Sequence, residues 1–120
     1  MHFLILPLVA LVAVEHLYFL YLEMFAWTQS RTRRAFGTSA EFAEASKSLA
    51  ANQGLYNGFL AAGLIWSLLQ PDPLLARQLQ LFFLACVLLA ALYGGVSVKR
   101  AILLIQGLPA ALALAAVLLN

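Results

Sequence analysis

The run FLILPLVALVAVEHLYFLYLEMFAW, residues 3–27, is long enough to cross a lipid bilayer as a helix, and this property sets the fold class. About 20 apolar residues span the roughly 30 Å of hydrocarbon in a membrane. Inside lipid, only α-helices and closed β-barrels satisfy all their backbone hydrogen-bonding groups. The run lacks the alternation of polar and apolar residues that barrel strands need, so it predicts a transmembrane helix.

Three further apolar runs follow the first, over residues 49–69, 79–98 and 101–119. Hydrophobic residues make up 64% of the chain and charged residues 10%, whereas soluble domains have about 45–50% and about 25%. The start of the chain lacks a basic stretch, which favours a first span over a cleaved signal peptide. We therefore expect an all-α fold, a four-transmembrane-helix bundle that forms a single integral membrane domain over residues 1–120.

Basic residues predict the orientation of this bundle. Six of them lie on one side, in the connection over residues 28–48 and between spans three and four: Arg31, Arg33, Arg34, Lys47, Lys99 and Arg100. The opposite side has only Arg77. Because basic residues near span ends stay in the cytoplasm, residues 28–48 should form a cytoplasmic loop and both termini should lie outside.

Two local patterns predict how spans one and two are connected and packed. Thr38 and Glu41 have the spacing of a capping box, which favours a helix start at Thr38. That helix would run or bend into span two. Gly54 and Gly58 have the GxxxG spacing that allows close contact between membrane helices.

Polar residues of all four spans fall in the cytoplasmic half of the expected bundle or near its middle. Charged groups in hydrocarbon are costly, which makes such residues candidates for function. We predict one ligand- or proton-binding site formed by Glu15, His16, Glu23, Asn52, Gln53, Tyr56, Asn57, Tyr93 and Gln106. A structural role through interhelical hydrogen bonds is the alternative for these residues. Glu23 could also pair with an arginine of the loop, and Gln106 could cap carbonyl groups freed by Pro109.

The leading functional hypothesis is binding or proton-coupled transport of a small cationic or amphipathic molecule. Glu15 would hold the proton or the cation, His16 would modulate its charge, and the carboxamides would orient the ligand. A membrane-embedded acid–base enzyme, an isomerase or oxidoreductase acting on a lipid-soluble substrate, is the first alternative. A structural accessory subunit is the second.

The partners expected from the sequence are the lipid bilayer, a small-molecule ligand and a second copy of the chain, since two bundles can combine into a homodimer. The chain has no basic stripe with interleaved aromatic residues, so nucleic acid is not expected. No metal site is expected either, because His, Cys, Asp and Glu lack the spacing of a ligand set. The sequence identifies neither a cofactor nor a catalytic residue.

Several strings of the sequence resemble those of a known family. EHLY and LEMF in the first span, NQGLYNG in the second, LYGG in the third and QGLPA in the fourth are similar to a family of small bacterial membrane proteins. That family is catalogued as a domain of unknown function. The resemblance implies four transmembrane helices in a bacterial inner membrane and supplies no established activity.

Overall fold

The computed structural model describes residues 2–120, and over these residues the ordered elements are all helical. The five α-helices are α1 (Ile5–Phe25), α2 (Ser30–Phe36), α3 (Ala40–Leu69), α4 (Pro73–Ser97) and α5 (Leu108–Leu118). A 3₁₀ turn, His2–Leu4, precedes α1, and a π-helical turn, Leu103–Gly107, precedes α5. The expected all-α class is confirmed.

Two helical stretches, His2–Phe25 and Pro73–Ser97, are long and apolar enough to cross a membrane. The helical stretch Leu103–Leu118 is also apolar but shorter. In α3 the polar residues Asn52 and Asn57 interrupt the apolar run. Length and hydropathy therefore support two of the four expected spans, and the four-helix membrane bundle stays a prediction.

Turn residues set two of the helix ends. Gly37 follows α2 with a φ of 70°, and its N–H donates a hydrogen bond to the carbonyl of Arg33. Glycine adopts this left-handed backbone at little cost, which explains why α2 ends there. At the start of α4, Asp72 Oδ1 accepts a hydrogen bond of 3.1 Å from the N–H of Leu74, and Pro73 occupies the first helical position. Both are favoured ways to begin a helix.

The start of α3 lies one residue later than the sequence predicted. Ser39, not Thr38, is the capping residue, and its Oγ accepts a hydrogen bond of 3.0 Å from the N–H of Phe42. Glu41 is then only two positions into the helix, so the expected capping box does not form. From Ala40 the helix continues for 30 residues, so the polar segment and the second apolar run form one helix.

The capping residues of α3 give the first testable prediction. Thr38 Oγ1 is buried and has no hydrogen-bond partner among residues 2–120. Ser39→Ala should lower the free energy of unfolding by about 1 kcal/mol, because it removes the cap. Thr38→Val should raise it by about 1 kcal/mol, because an unpaired buried hydroxyl costs stability. Unfolding by added SDS in dodecyl maltoside micelles measures both, and equal effects would contradict this assignment of the cap.

The chain divides into two compact units, which we describe separately. The first contains the residues up to Glu15 together with Leu60–Asn120, and the second is His16–Phe59. In the first unit, residues of α1, α3, α4 and α5 share one apolar core. Its buried residues are Ile5, Val9, Val12, Ala13, Leu64, Leu84, Val87, Ala110, Ala113, Ala116 and Val117. Leu64 and Leu84 are the largest of the fully buried side chains.

The second unit contains α2, a helix that the sequence did not predict. The Trp27 ring contacts the Phe36 ring edge to face, with the ring centroids 4.9 Å apart. Trp27 Nε1 also donates a hydrogen bond of 3.1 Å to Ser46 Oγ, which in turn donates to the carbonyl of Phe42. Trp27 therefore ties the end of α2 to the first turns of α3.

Candidate functional site

A hydrogen bond between two of the predicted polar residues lies inside the second unit. Asn57 Nδ2 on α3 donates to Glu23 Oε1 on α1 at 2.6 Å. Asn57 is buried, with 6% of its surface exposed, and Glu23 is partly buried. The contact uses one of the two carboxyl oxygens of Glu23. A buried carboxamide thus orients the carboxyl group of Glu23.

The two glycines of the GxxxG pattern bring these side chains together. A Cβ atom on Gly54 would lie 3.0 Å from Glu23 Cβ and 3.2 Å from the carbonyl oxygen of Leu20. A Cβ atom on Gly58 would lie 2.6 Å from Leu20 Cδ1. The glycines therefore remove the side-chain bulk that would hold α1 and α3 apart. The packing contact expected from this spacing is confirmed.

His16 also lies in the second unit, and its side chain is almost fully buried, with 1% of its surface exposed. Its ring contacts the Phe19 ring edge to face, with 5.3 Å between the ring centroids. His16 and Glu23 are seven residues apart on α1, which places them on nearly the same side of the helix. The imidazole is thus held inside the protein and does not face its surroundings.

Three predicted residues of α3 are on its exposed surface. Asn52, Gln53 and Tyr56 are exposed, and the Tyr56 ring contacts the Phe59 ring edge to face at 5.9 Å. The structure thus brings Asn57, but not these three side chains, to the carboxyl of Glu23.

The remaining predicted residues belong to the first unit. Glu15 is partly buried, and its Oε1 atom is buried without a hydrogen-bond partner among the described residues. Tyr93, on α4, is 76% exposed. Gln106 is partly buried and lies in the π-helical turn that precedes Pro109. The irregular backbone expected near Pro109 is therefore present, and Gln106 is part of it.

Metal ligation has no support in the described part of the chain. Within residues 2–120, no group of three or more His, Cys, Asp or Glu side chains is placed to hold a metal ion. The chemistry that the carboxyls themselves offer is hydrogen bonding, proton exchange and pairing with an organic cation.

A cavity that the sequence did not predict lies in the first unit. Its volume is about 380 Å³, and it is lined by residues of the 3₁₀ turn, α1, α4 and the end of the chain, among them Arg77 and Gln80. In the sequence, the one indication of this cavity was Arg77, the single basic residue on its side of the expected bundle. The three-residue spacing from Arg77 to Gln80 places both on one face of α4.

A comparison with known protein families identifies the family of this chain. The sequence model of a family described as "Protein of unknown function (DUF1304)" matches residues 10–118. The chain belongs to this family. All nine predicted site residues, from Glu15 to Gln106, lie within the matched region of the DUF1304 protein.

A relative of this DUF1304 protein is the uncharacterized protein YpaA of Lactococcus lactis subsp. lactis (strain IL1403). The two are 39% identical over 106 residues, which cover 87% of each chain. No solved structure matches the chain. Membership confirms the expected family of unknown function, and the activity has to be argued from the residues themselves.

Proposed function

We propose that this DUF1304 protein is a four-span protein of the bacterial inner membrane, with both termini outside. In this proposal it binds a small cationic or amphipathic molecule in exchange for a proton, as a carrier or a receptor for that molecule. The exchange takes place at a carboxyl group of the first span, with Glu23 as the first candidate and Glu15 as the second. A second copy of the chain can complete the pathway.

Exposed apolar side chains support the membrane part of the proposal. Large apolar residues are exposed on α1, α3, α4 and α5, including Leu11, Phe59, Leu89 and Leu112. Exposed apolar surface of this kind marks a site of contact with lipid or with another protein. The distribution of basic residues, six against one, favours the proposed orientation.

The length of α3 supports a further span in spite of its polar residues. The helix has 30 residues, which corresponds to about 45 Å at about 1.5 Å per residue. This exceeds the roughly 30 Å of the hydrocarbon layer. The first turns, which contain Glu41, Glu44 and Lys47, can therefore lie in water while residues 49–69 cross lipid.

The functional part of the proposal rests on the hydrogen bond from Asn57 to Glu23. A buried carboxamide that donates to a carboxyl oxygen orients the carboxyl without neutralising it. The Oε2 atom can then take a proton or contact a cation. Both neutralise the charge, which is costly in hydrocarbon, so the two compete for the same oxygen. Competition of this kind couples cation binding to proton release.

Proton release on cation binding tests the proposal. Tetraphenylphosphonium is added to the full-length protein in weakly buffered dodecyl maltoside solution, and the pH change is followed with a dye. The wild type should release about one proton for each cation bound, because one carboxyl holds either species. Glu23→Gln should release none and should bind the cation at least about tenfold more weakly, because the negative charge that balances the cation in an apolar environment is lost.

The control for this experiment is Glu41→Gln, which makes the same chemical change at an exposed carboxyl of α3. It should behave like the wild type. Glu15→Gln, tested in parallel, separates the contributions of the two carboxyls. If wild type and Glu23→Gln bind the cation equally and without proton release, Glu23 has only a structural role and the proposed exchange is wrong.

A further inference from the structure

The cavity of about 380 Å³ in the first unit combines a cationic side chain with apolar walls. Arg77 lines it from α4, and Phe3, Leu6 and Val117 contribute apolar surface. The volume lies within the range of about 300–1,000 Å³ typical of small-molecule sites. No aspartate or glutamate of residues 2–120 lines the cavity. The ionisable side chains that line it are those of Arg77 and His2, both basic, and this favours an anionic ligand.

The cavity lies where helices begin and end. Its lining comes from the turn before α1, the first two turns of α4, and the last residues of α5 and of the chain. In the proposed orientation, these are the ends of three spans on the outer side of the membrane. Lipid headgroups lie at the ends of spans, outside the hydrocarbon layer. The cavity is thus at the depth of a headgroup.

Most of the N–H donors of the Arg77 guanidinium group are available to a ligand. Its Nη1 donates a hydrogen bond to the carbonyl of Val117 at the end of α5. It makes no ion pair within residues 2–120. A guanidinium group has five N–H donors in a planar fork that matches the oxygens of a carboxylate or a phosphate. The contact with Val117 leaves most of this fork available.

Gln80 is a second polar group of the cavity, and it lacks a partner. Only 7% of its surface is exposed, and it makes no hydrogen bond with the residues that the structure describes. Its amide atoms are not among the fully buried polar atoms of the described residues, so they reach the open space of the cavity, where the amide N–H groups can donate to a ligand oxygen. Asn120, which also lines the cavity, uses its Nδ2 atom for the carbonyl of Ala116. Arg77 and Gln80 are therefore the groups that we assign to a bound oxyanion.

We propose that this cavity binds the phosphodiester headgroup of an anionic membrane lipid, with Arg77 and Gln80 donating to its phosphate oxygens. One arginine balances the single negative charge of a phosphodiester. The apolar side chains of Phe3, Leu6 and Val117 receive the first carbons of the acyl chains. The lipid source rests on the membrane location proposed above and does not depend on the carboxyl exchange at Glu23.

Native mass spectrometry of the full-length protein from mixed micelles tests this proposal. The probes are phosphatidylglycerol, its water-soluble headgroup glycerophosphoglycerol, and the zwitterionic phosphatidylcholine. The wild type should retain one phosphatidylglycerol for each chain and at least about tenfold less glycerophosphoglycerol, which lacks the acyl chains. It should also retain less phosphatidylcholine, because the choline cation offsets the phosphate charge that Arg77 balances. Arg77→Gln should lower the retention about tenfold or more, since a charged hydrogen-bonding partner is lost.

Gln80→Leu separates binding from stability, because it leaves the Arg77–Val117 hydrogen bond in place. It should lower phosphatidylglycerol retention several-fold while the protein stays folded. Gln78→Leu, at an exposed position of the same helix, should leave retention unchanged. Equal retention by the wild type, Arg77→Gln and Gln80→Leu would overturn the proposal. Equal binding of glycerophosphoglycerol and phosphatidylglycerol would overturn the assignment of the ligand as a lipid.

Discussion

Gly54→Leu should lower the free energy of unfolding by about 3 kcal/mol and should break the hydrogen bond between Asn57 and Glu23. Even a Cβ atom at this position would lie 3.2 Å from the carbonyl oxygen of Leu20 and 3.0 Å from Glu23 Cβ. Backbone and Cβ atoms cannot move without shifting α1. Overpacking in a tight contact usually costs about 1–3 kcal/mol, and leucine adds an isobutyl group where even one carbon is crowded.

SDS unfolding in dodecyl maltoside measures this loss, and the alanine variants of the two glycines provide its control. Gly58→Ala would meet only the side chain of Leu20, whose Cδ1 atom is the far end of a flexible group. It should therefore cost less than about 1 kcal/mol. Gly54→Ala should cost more than Gly58→Ala. The opposite order would show that α1 and α3 do not pack as described.

Leu84→Ala should lower the free energy of unfolding by about 3 kcal/mol, since it leaves a cavity in the core of the first unit. The Leu84 side chain is 0% exposed and belongs to the apolar cluster of that unit. Loss of a buried leucine costs about 2.7–5 kcal/mol through lost contacts and the remaining void. Contacts of this kind persist in a membrane, where packing, not exclusion of water, holds helices together.

Leu89→Ala on the same helix is the matched control. Leu89 is 66% exposed, so its truncation leaves no internal void and should cost less than about 1 kcal/mol. Unfolding of both variants in the same SDS titration gives the comparison. Equal losses for Leu84→Ala and Leu89→Ala would mean that the core of the first unit lies elsewhere.

Features that depend on local composition could be predicted from the sequence. The apolar runs predicted an all-α fold, and the GxxxG spacing of Gly54 and Gly58 predicted a close helix contact. Both are confirmed, because an apolar run and a GxxxG spacing are patterns that can be recognised within a single helix, even where the contact is made with another helix. Pro109 likewise indicated the irregular helix that the π-helical turn provides.

Features that depend on distant partners could be predicted only in part. Glu23 and Asn57 were both expected in a polar site, but sequence alone also allowed Glu23 to pair with an arginine of the loop. Its hydrogen bond to Asn57 depends on which sides of α1 and α3 face each other. The two residues are 34 positions apart in the chain. The choice between Thr38 and Ser39 as cap depends on backbone geometry at a single residue, which both hydroxyl side chains could satisfy.

The cavity at Arg77 was missed for a related reason. Its lining comes from both ends of the chain and from α4, so no short motif contains it. An isolated arginine at the end of an apolar run is usually explained as an anchor at the membrane surface. Only the burial of Gln80 and the partner of Arg77 in the structure distinguish a lined cavity from an exposed anchor.

The π-helical turn at Leu103–Gly107 has a consequence for how this chain can change in evolution. A π-helical turn accommodates one residue more than the regular helix around it. Deletion of a single residue in this turn can therefore be absorbed by conversion to an ordinary α-helical turn. A deletion in the middle of α4 would instead rotate everything that follows by about 100°. Differences in length between relatives are thus expected to concentrate between Lys99 and Pro109.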